Sequence, residues 1–251
     1  YMDFSLKSVK YAVDKNQDET GLFCNLYAKP NTLDWYSNED TFYGLTSLYF
    51  LSENIFLNNV LINYINGLKN LMHKSGLLFG SKGGLKKYIS RTPITIVEGL
   101  THLYKKNNNY NYIELAEQLV NPWIFSSFFK KYGLFPDFLV DNEFIEKAII
   151  LTKGKIFGKR FRDGHCNILK SNTNLMQGIL ELWKITGDDI YLKAMNVWIN
   201  SIENHTDCGD RYSNISFFTN EHSFFNKPMF TTIHVLGFYC EYYVFTNNRN
   251  V

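Results

Sequence analysis

The sequence lacks the features that mark several large classes of protein. Its four cysteines are far apart and form no CxxC pair, which argues against a zinc ribbon, a thioredoxin-like site or a disulfide scaffold. The net charge is only +2 at pH 7, so no global positive field attracts nucleic acid. No apolar run is long enough to span a membrane. We therefore expect no metal, no cofactor, no nucleic-acid partner and no membrane span.

The sequence motifs of several well-known enzyme classes are also missing. There is no GxGxxG, no P-loop, no GxSxG and no HExxH in the chain. No secretory signal peptide is visible, which favours the cytoplasm over secretion. Because the chain opens on Tyr1 and Met2, we expect either a complete domain or part of a longer product.

The composition is that of an ordinary globular protein rich in aromatic residues. The 251 residues are 45% hydrophobic, 20% charged and 17% aromatic. This length suits one domain with a sizeable core. The aromatic residues have two interpretations: they fill an aromatic-rich core, or some of them line a groove and stack on sugar rings.

A glycine-centred motif recurs four times and organises the chain. The copies are GLTSLY at 44–49, GLTHLY at 99–104, GILELW at 178–183 and GFYCEY at 237–242. A polar turn and a second amphipathic segment follow the first three copies, so we interpret each unit as a helical hairpin. A glycine inside a helix costs about 1 kcal/mol relative to alanine. Its recurrence at one position predicts close packing between helices of an inner ring.

These hairpins predict an all-α fold, an incomplete or shortened α/α toroid with short strands in its connecting loops, as a single domain over residues 1–251. The inner helices are expected near 40–52, 92–106, 172–186 and 228–246. The outer helices are expected near 4–13, 55–73, 111–130 and 189–204. Short extended segments at 21–23, 76–79, 133–136 and 207–212 lead from an outer helix to the next inner one. An extra helix is predicted near 141–152, followed by a loop or strand around 155–170.

One hairpin resembles the six-hairpin glycosidase superfamily. The residues that carry the resemblance are Asn174 to Trp183 and Thr186 to Ala194, with a TGD…YL…A pattern between paired helices. The superfamily includes unsaturated glucuronyl hydrolases, glucuronyl C5-epimerases and several glycosidases, and the 172–211 unit is most similar to its acylglucosamine 2-epimerase branch. The resemblance implies a sugar ligand and either hydrolysis or epimerisation. The chain departs from the family in having about four clear hairpins rather than six.

Candidate functional residues precede the inner helices, because in a toroid those helix N-termini line one mouth of the cavity and favour anionic ligands. Asp163 and His165 are near neighbours that could share acid and base duty. Asp40 or Asp210 would supply a second carboxylate beside Asp163. The candidate substrate-binding residues are Trp35, Tyr36, Arg91, Arg162, Asn172, Asn174, Arg211 and His222.

Each candidate also has a structural interpretation. Asp40 is a good helix-capping residue, Arg91 suits a solvated face, and the Asp-Gly-His sequence at 163–165 suits an ordinary turn. The functional interpretation predicts an enzyme that acts on a sugar or oligosaccharide, with Arg91 and Arg162 orienting an anionic group. The alternative is a non-catalytic helical-repeat module that binds a glycan or a protein. The oligomeric state is left open.

Overall fold

The computed structural model describes residues 2–23, 35–78, 89–140, 164–217, 221–223 and 228–248. The α-helices are α1 (Met2–Asn16), α2 (Trp35–Ser52), α3 (Ile55–Asn70), α4 (Ile96–Asn107), α5 (Asn111–Ile124), α6 (Ser127–Tyr132), α7 (Asn174–Thr186), α8 (Asp189–His205) and α9 (Pro228–Asn248). A π-helix over Ile168–Thr173 runs directly into α7. The strands are β1 (Ile89–Arg91), β2 (Phe138–Val140), β3 (His165–Cys166), β4 (Asn214–Ser216) and β5 (Glu221–Ser223).

The predicted α/α toroid class is confirmed. Helices α2, α4, α7 and α9 form the inner layer, in which α2 packs on α4, α4 on α7 and α7 on α9. Helices α3, α5 and α8 pack on the inner helices that precede them in the chain. In the described ranges, α2 and α9 do not pack extensively on each other, so these helices form an open arc. None of the described helices is long and apolar enough to cross a membrane.

The strands lie in the connections that lead into the inner helices. Strands β1 and β2 form an antiparallel pair, and β3, β4 and β5 form a three-stranded antiparallel sheet in that order. The register pairs His165 with Ser216 and Ile215 with His222. These strands therefore hold the loops at the end of the arc where the inner helices begin.

The predicted TGD turn joins α7 to α8 as a tight helical hairpin. Gly187 has a φ of +70°, and its N–H donates to the carbonyl oxygen of Trp183 at 2.8 Å. A left-handed residue at this position is the usual end of a helix. Asp188 then caps α8, because its side chain accepts a hydrogen bond from the N–H of Ile190 at 2.9 Å. The turn residues thus stop one helix and start the next.

The short extended segments dock on the next outer helix. Gly76 has a φ of +88°, and a Cβ at this position would lie 2.0 Å from the carbonyl oxygen of Gln118 in α5. That oxygen is free of its usual helical partner because Pro122, four residues later, has no N–H. Gly21 approaches the carbonyl oxygen of Asn63 in α3 in the same way. Only glycine permits this approach, so these positions tie each hairpin to the next.

Buried polar side chains hold the same segments in place. The Asn38 amide accepts from the N–H of Phe23 at 2.8 Å and donates to its carbonyl at 2.6 Å. Asn172 makes the same pair of bonds with Phe135, at 2.7 and 2.9 Å. Each amide replaces a missing strand partner, since buried backbone groups need hydrogen bonds.

Two details of the predicted elements change. The prediction of a single outer helix near 111–130 is wrong, because this segment forms two helices. Helix α5 ends at Ile124, and the Ser126 side chain caps α6 by accepting a hydrogen bond from the N–H of Phe129 at 3.1 Å. Around 155–170 the described part contains β3 and the start of the π-helix. The helix predicted near 141–152 lies outside the described residues.

The predicted close packing of the repeated glycines is confirmed at two of the four positions. A Cβ on Gly99 would lie 2.8 Å from the Phe42 ring, and one on Gly178 would lie 2.9 Å from the Val97 Cβ. The prediction is wrong for Gly44 and Gly237, where an added Cβ would meet no atom of the described residues within 4 Å. Glycine is therefore required where two inner helices meet, and not at the two ends of the arc.

This difference predicts opposite effects of one substitution. Gly178→Ala should lower the free energy of unfolding by about 1–3 kcal/mol, because the methyl group overpacks the contact between α4 and α7. Gly237→Ala should raise it by about 0.5–1 kcal/mol, because it improves helix propensity in open space. Urea denaturation of both variants measures the two effects. A Gly178→Ala variant as stable as Gly237→Ala would contradict the packing argument.

Candidate functional site

The glycine repeat sets the register of a polar stripe along two inner helices. One residue before the glycine, three after it and six after it form one helical face. On α4 and α7 these positions carry polar or charged side chains. The residues are Glu98, His102 and Lys105 on α4, and Gln177, Glu181 and Lys184 on α7.

These stripes meet one another across the inner helices. The Tyr43 hydroxyl of α2 donates to Glu98 of α4 at 3.2 Å. Lys105 of α4 donates to Glu181 of α7. Lys184 continues the chain, since it donates to Glu181 at 2.6 Å and also to Glu241 of α9.

The inner helices therefore share one concave polar face. Gln177 also donates to Glu241, and the Tyr43 and His102 rings lie 5.6 Å apart. The outer helices pack on the other side, as in the stack of Phe42 on Tyr64 of α3 at 4.5 Å. We name the set the lumen cluster: Tyr43, Glu98, His102, Lys105, Gln177, Glu181, Lys184 and Glu241.

Two carboxyl groups of the lumen cluster have pKa values shifted in opposite directions. Burial raises the pKa of Glu98 from its ordinary value of 4.5 to about 7, and the negative charges of Glu181 and Glu241 add to the shift. Burial also opposes ionisation of Glu181, but the ammonium groups of Lys105 and Lys184 outweigh it and lower the pKa of Glu181. Near neutral pH the cluster therefore holds one exchangeable acid beside an ionised carboxylate, the arrangement from which acid and base roles are assigned.

Other members of the cluster respond to the same burial. Burial raises the pKa of Tyr43 to about 12, with the Glu98 carboxyl as the next cause. Tyr43 therefore stays a neutral hydrogen-bond donor to Glu98. Burial, with Lys105 as the second cause, lowers the pKa of His102.

The shift at Glu98 predicts a pH dependence of stability. A carboxyl group whose pKa rises on folding stabilises the fold fully below pH 4.5, and this contribution is lost as the pH rises through about 7. Across that window the wild type should lose on the order of 3 kcal/mol relative to Glu98→Gln, which does not titrate. Urea denaturation at pH 4.5 and pH 8 measures the change, with Glu114→Gln on the exposed face of α5 as the control. Parallel pH profiles for wild type and Glu98→Gln would refute the assignment.

A second pair of acid and base groups lies where the inner helices begin. The Oδ2 atom of Asp137, just before β2, is 2.9 Å from the Nδ1 atom of His165 in β3. His165 was predicted as an acid–base residue, but beside Asp163, which lies outside the described residues. Asp137 was not predicted, because nothing in the sequence links residues so far apart.

The predicted carboxylates Asp40 and Asp210 are exposed and pair with cations. The Asp40 side chain is 69% exposed and lies 3.9 Å from Lys170 of the π-helix. The Asp210 side chain is 79% exposed and lies 3.2 Å from Arg211, its neighbour in the turn after α8. Among the described residues, no hydrogen bond or ion pair joins Asp40, Asp210 and His165 to one another. Exposed ion pairs of this kind contribute little stability.

The remaining candidates are spread along the arc. His222 of β5 is exposed, and its Nδ1 atom lies 2.7 Å from the hydroxyl of buried Ser213. Asn174 is partly buried at the start of α7. Trp35 and Tyr36 lie in the first turn of α2 and Arg91 lies in β1, with side chains outside the described part of the structure. Arg162 lies outside the described residues altogether.

Asn172 occupies a structural position. It is completely buried, and its amide bonds to Phe135, to the carbonyl of Asn167 and to the indole N–H of Trp198. A sugar has no access to this amide, so we assign Asn172 to the support of the connection into α7.

The two asparagines at the start of α7 should therefore respond differently to truncation. Asn172→Ala leaves two buried backbone groups of Phe135 without partners and should cost about 2–5 kcal/mol. Asn174→Ala should change the free energy of unfolding by less than about 0.5 kcal/mol. Thermal and urea denaturation compare the variants. Wild-type stability in Asn172→Ala, together with weaker sugar binding, would instead restore its predicted role as a ligand-binding residue.

A simple signal for the lumen cluster was present in the sequence. Glu98, His102 and Lys105 repeat the spacing of Gln177, Glu181 and Lys184 around two copies of the glycine motif. Polar residues at matching positions of two inner helices indicate one shared face. The sequence-based candidates were instead chosen before or at the starts of the inner helices, where polar residues also serve as helix caps.

In the described ranges, no group of three or more His, Cys, Asp or Glu side chains is arranged to hold a metal ion. No protein-family model matches the sequence, and no curated protein is significantly similar to it.

Solved structures share the fold at low sequence identity. A cellobiose 2-epimerase from Bacillus thermoamylovorans superposes with a TM-score of 0.62 and 12% identity, over 85% of this chain and 58% of that chain. A sugar epimerase from a ruminal bacterium gives 0.60 and 13%, over 86% and 57%. An alpha-amylase from Clostridium perfringens gives 0.56 and 15%, over 93% and 65%. These structures therefore confirm a likeness of fold.

This chain spans less than two thirds of the length of each of these structures.

Proposed function

We propose that the chain is a carbohydrate-active enzyme whose lumen cluster transfers protons to and from a sugar. The observation that carries the proposal is Glu98, whose pKa burial raises to about 7, on the same face as the lysine-bound carboxylates Glu181 and Glu241. The fold supports it, since structures named as an epimerase of cellobiose, a sugar epimerase and an alpha-amylase have the same architecture. Because one fold hosts many activities, the proposal depends on the site rather than on the fold.

Glycoside hydrolysis is the reaction that this site supports best. Most glycosidases use one protonated and one ionised carboxyl group on either side of the scissile bond. Glu98 would donate a proton to the leaving oxygen, and Tyr43 would orient it through their hydrogen bond of 3.2 Å.

Glu241 is the best candidate for the ionised partner. Its side chain is 33% exposed, against 9% for Glu181, so it is the more accessible of the two to water or a sugar. Lys184 and Gln177 orient it through hydrogen bonds. Glu181 would then stay between Lys105 and Lys184 and fix the positions of both lysines.

A sugar panel tests the proposal. Thermal denaturation with neutral oligosaccharides, uronic acids and N-acylhexosamines should show a rise in melting temperature with one class, because a ligand of the native state stabilises it. The class that binds is then assayed for release of reducing ends and for epimerisation.

Glu98→Gln should lower kcat for that sugar by about 10²- to 10⁴-fold, the usual contribution of a general acid. The wild-type rate should fall as the pH rises above about 7, where Glu98 loses its proton. Glu114→Gln, on the outer helix α5, is the matched control and should keep the wild-type rate. Full activity in Glu98→Gln would overturn its role. Binding without any turnover would favour the non-catalytic glycan-binding alternative.

A further inference from the structure

The Asp137–His165 pair lies outside the lumen cluster and is built as a two-way contact. The Oδ2 atom of Asp137 lies 2.9 Å from the Nδ1 atom of His165, and the backbone N–H of Asp137 donates to the carbonyl of His165 at 2.9 Å. The side chains are only 13% and 23% exposed. The two contacts fix the segment before β2 against β3.

The second oxygen of the Asp137 carboxylate is also held. It accepts from the N–H of Asn167 at 3.1 Å and from the Ser171 hydroxyl at 3.0 Å. Both donors belong to the entry into the π-helix that continues as α7. With three donors the carboxylate has a fixed orientation, and so does the ring that it holds.

This geometry determines which ring nitrogen is available. Because the ionised carboxylate only accepts hydrogen bonds, Nδ1 of His165 must carry a hydrogen, and the neutral ring then has its lone pair on Nε2. No described residue bonds to Nε2. We propose that His165 is a general base in the carbohydrate reaction and that Asp137 is its positioning residue; this inference rests on the proposed function.

The proton transfer needs no further reactant. Nε2 accepts the proton of a bound sugar hydroxyl or of water, so an O–H bond breaks, an N–H bond forms and the electron pair stays on the oxygen. The imidazolium then carries a positive charge beside the Asp137 carboxylate, which stabilises it. The proton returns to the product when the ring becomes neutral again.

The location suits a group that meets substrate at the entrance of the arc. Strand β3 directly precedes the π-helix and α7, so His165 lies at the end where the inner helices begin. At the same end, Lys170 of the π-helix reaches Asp40 of α2. The lumen cluster lies further along the same inner helices.

The first test uses no sugar. Nitrogen-15 NMR of the neutral imidazole should show His165 in the Nδ1–H tautomer, with its signal assigned by its loss in His165→Gln. In Asp137→Ala the preference for Nδ1–H should disappear. An Nε2–H tautomer in the wild type, or an unchanged tautomer in Asp137→Ala, would overturn the positioning role.

The second test uses the sugar that the panel identifies. Asp137→Asn should lower kcat by about 10²- to 10⁴-fold with little change in KM, because the base loses its orientation rather than the substrate its contacts. Ser171→Ala removes one of the three donors and should have a smaller effect, while Glu114→Gln is the control. Wild-type kcat in Asp137→Asn, in an enzyme that Glu98→Gln inactivates, would refute the inference and leave the proposed function intact. If no sugar is turned over, the proposed function fails, whereas the tautomer experiment tests the positioning of His165 by Asp137 independently of any sugar.

Discussion

Pairing of buried charges on the concave face is the constraint on which the site depends. A charge removed from water is costly unless an opposite charge and hydrogen bonds replace the water. Lys105, Glu181, Lys184 and Glu241 meet this requirement by alternating in sign from α4 to α9. Glu98 is the third carboxylate in a cluster with two lysines, and both lysines are already held. Burial raises its pKa to about 7, and the charges of Glu181 and Glu241 add to the shift, so Glu98 takes up a proton near neutral pH while Tyr43 donates to it.

The close contact between α4 and α7 connects this chemistry to the packing. Gly178 meets Val97, and an added Cβ would also come within 3.3 Å of the backbone nitrogen of Glu98. The missing side chain lets the two helices approach each other, which brings Lys105 to Glu181. A larger residue at 178 would separate the helices at the level of the acid. The glycine repeat is thus a structural feature with a direct effect on the site.

The sequence was informative about local structure and less informative about the site. The hairpins, the stop at Gly187 and the cap at Asp188 follow from short-range patterns, and so they could be predicted. The break between α5 and α6 could not be predicted from the periodic pattern. It depends on whether the Ser126 cap is more favourable than continuing the helix, and periodicity carries no information about that. Asp137 and His165 meet only because β2 and β3 lie close together in the fold. Asn172 was predicted to bind substrate because it is a polar residue near the start of a helix. The structure shows instead that its amide is hydrogen-bonded to the backbone N–H and carbonyl of Phe135.

The last inner helix explains why a repeat in sequence need not repeat in space. On α7 the charged residue Glu181 is three positions after Gly178, whereas on α9 Glu241 is four positions after Gly237. One residue corresponds to a rotation of about 100° on a helix. Glu241 therefore lies about 100° around α9 from the position equivalent to Glu181, yet it reaches Lys184, and an added Cβ on Gly237 would meet no atom of the described residues within 4 Å. Ile233, Leu236 and Val244 of the same helix are exposed. Buried apolar packing also holds α9, since Val235 and Phe238 are fully buried and the Phe238 ring lies 5.0 Å from that of Trp198.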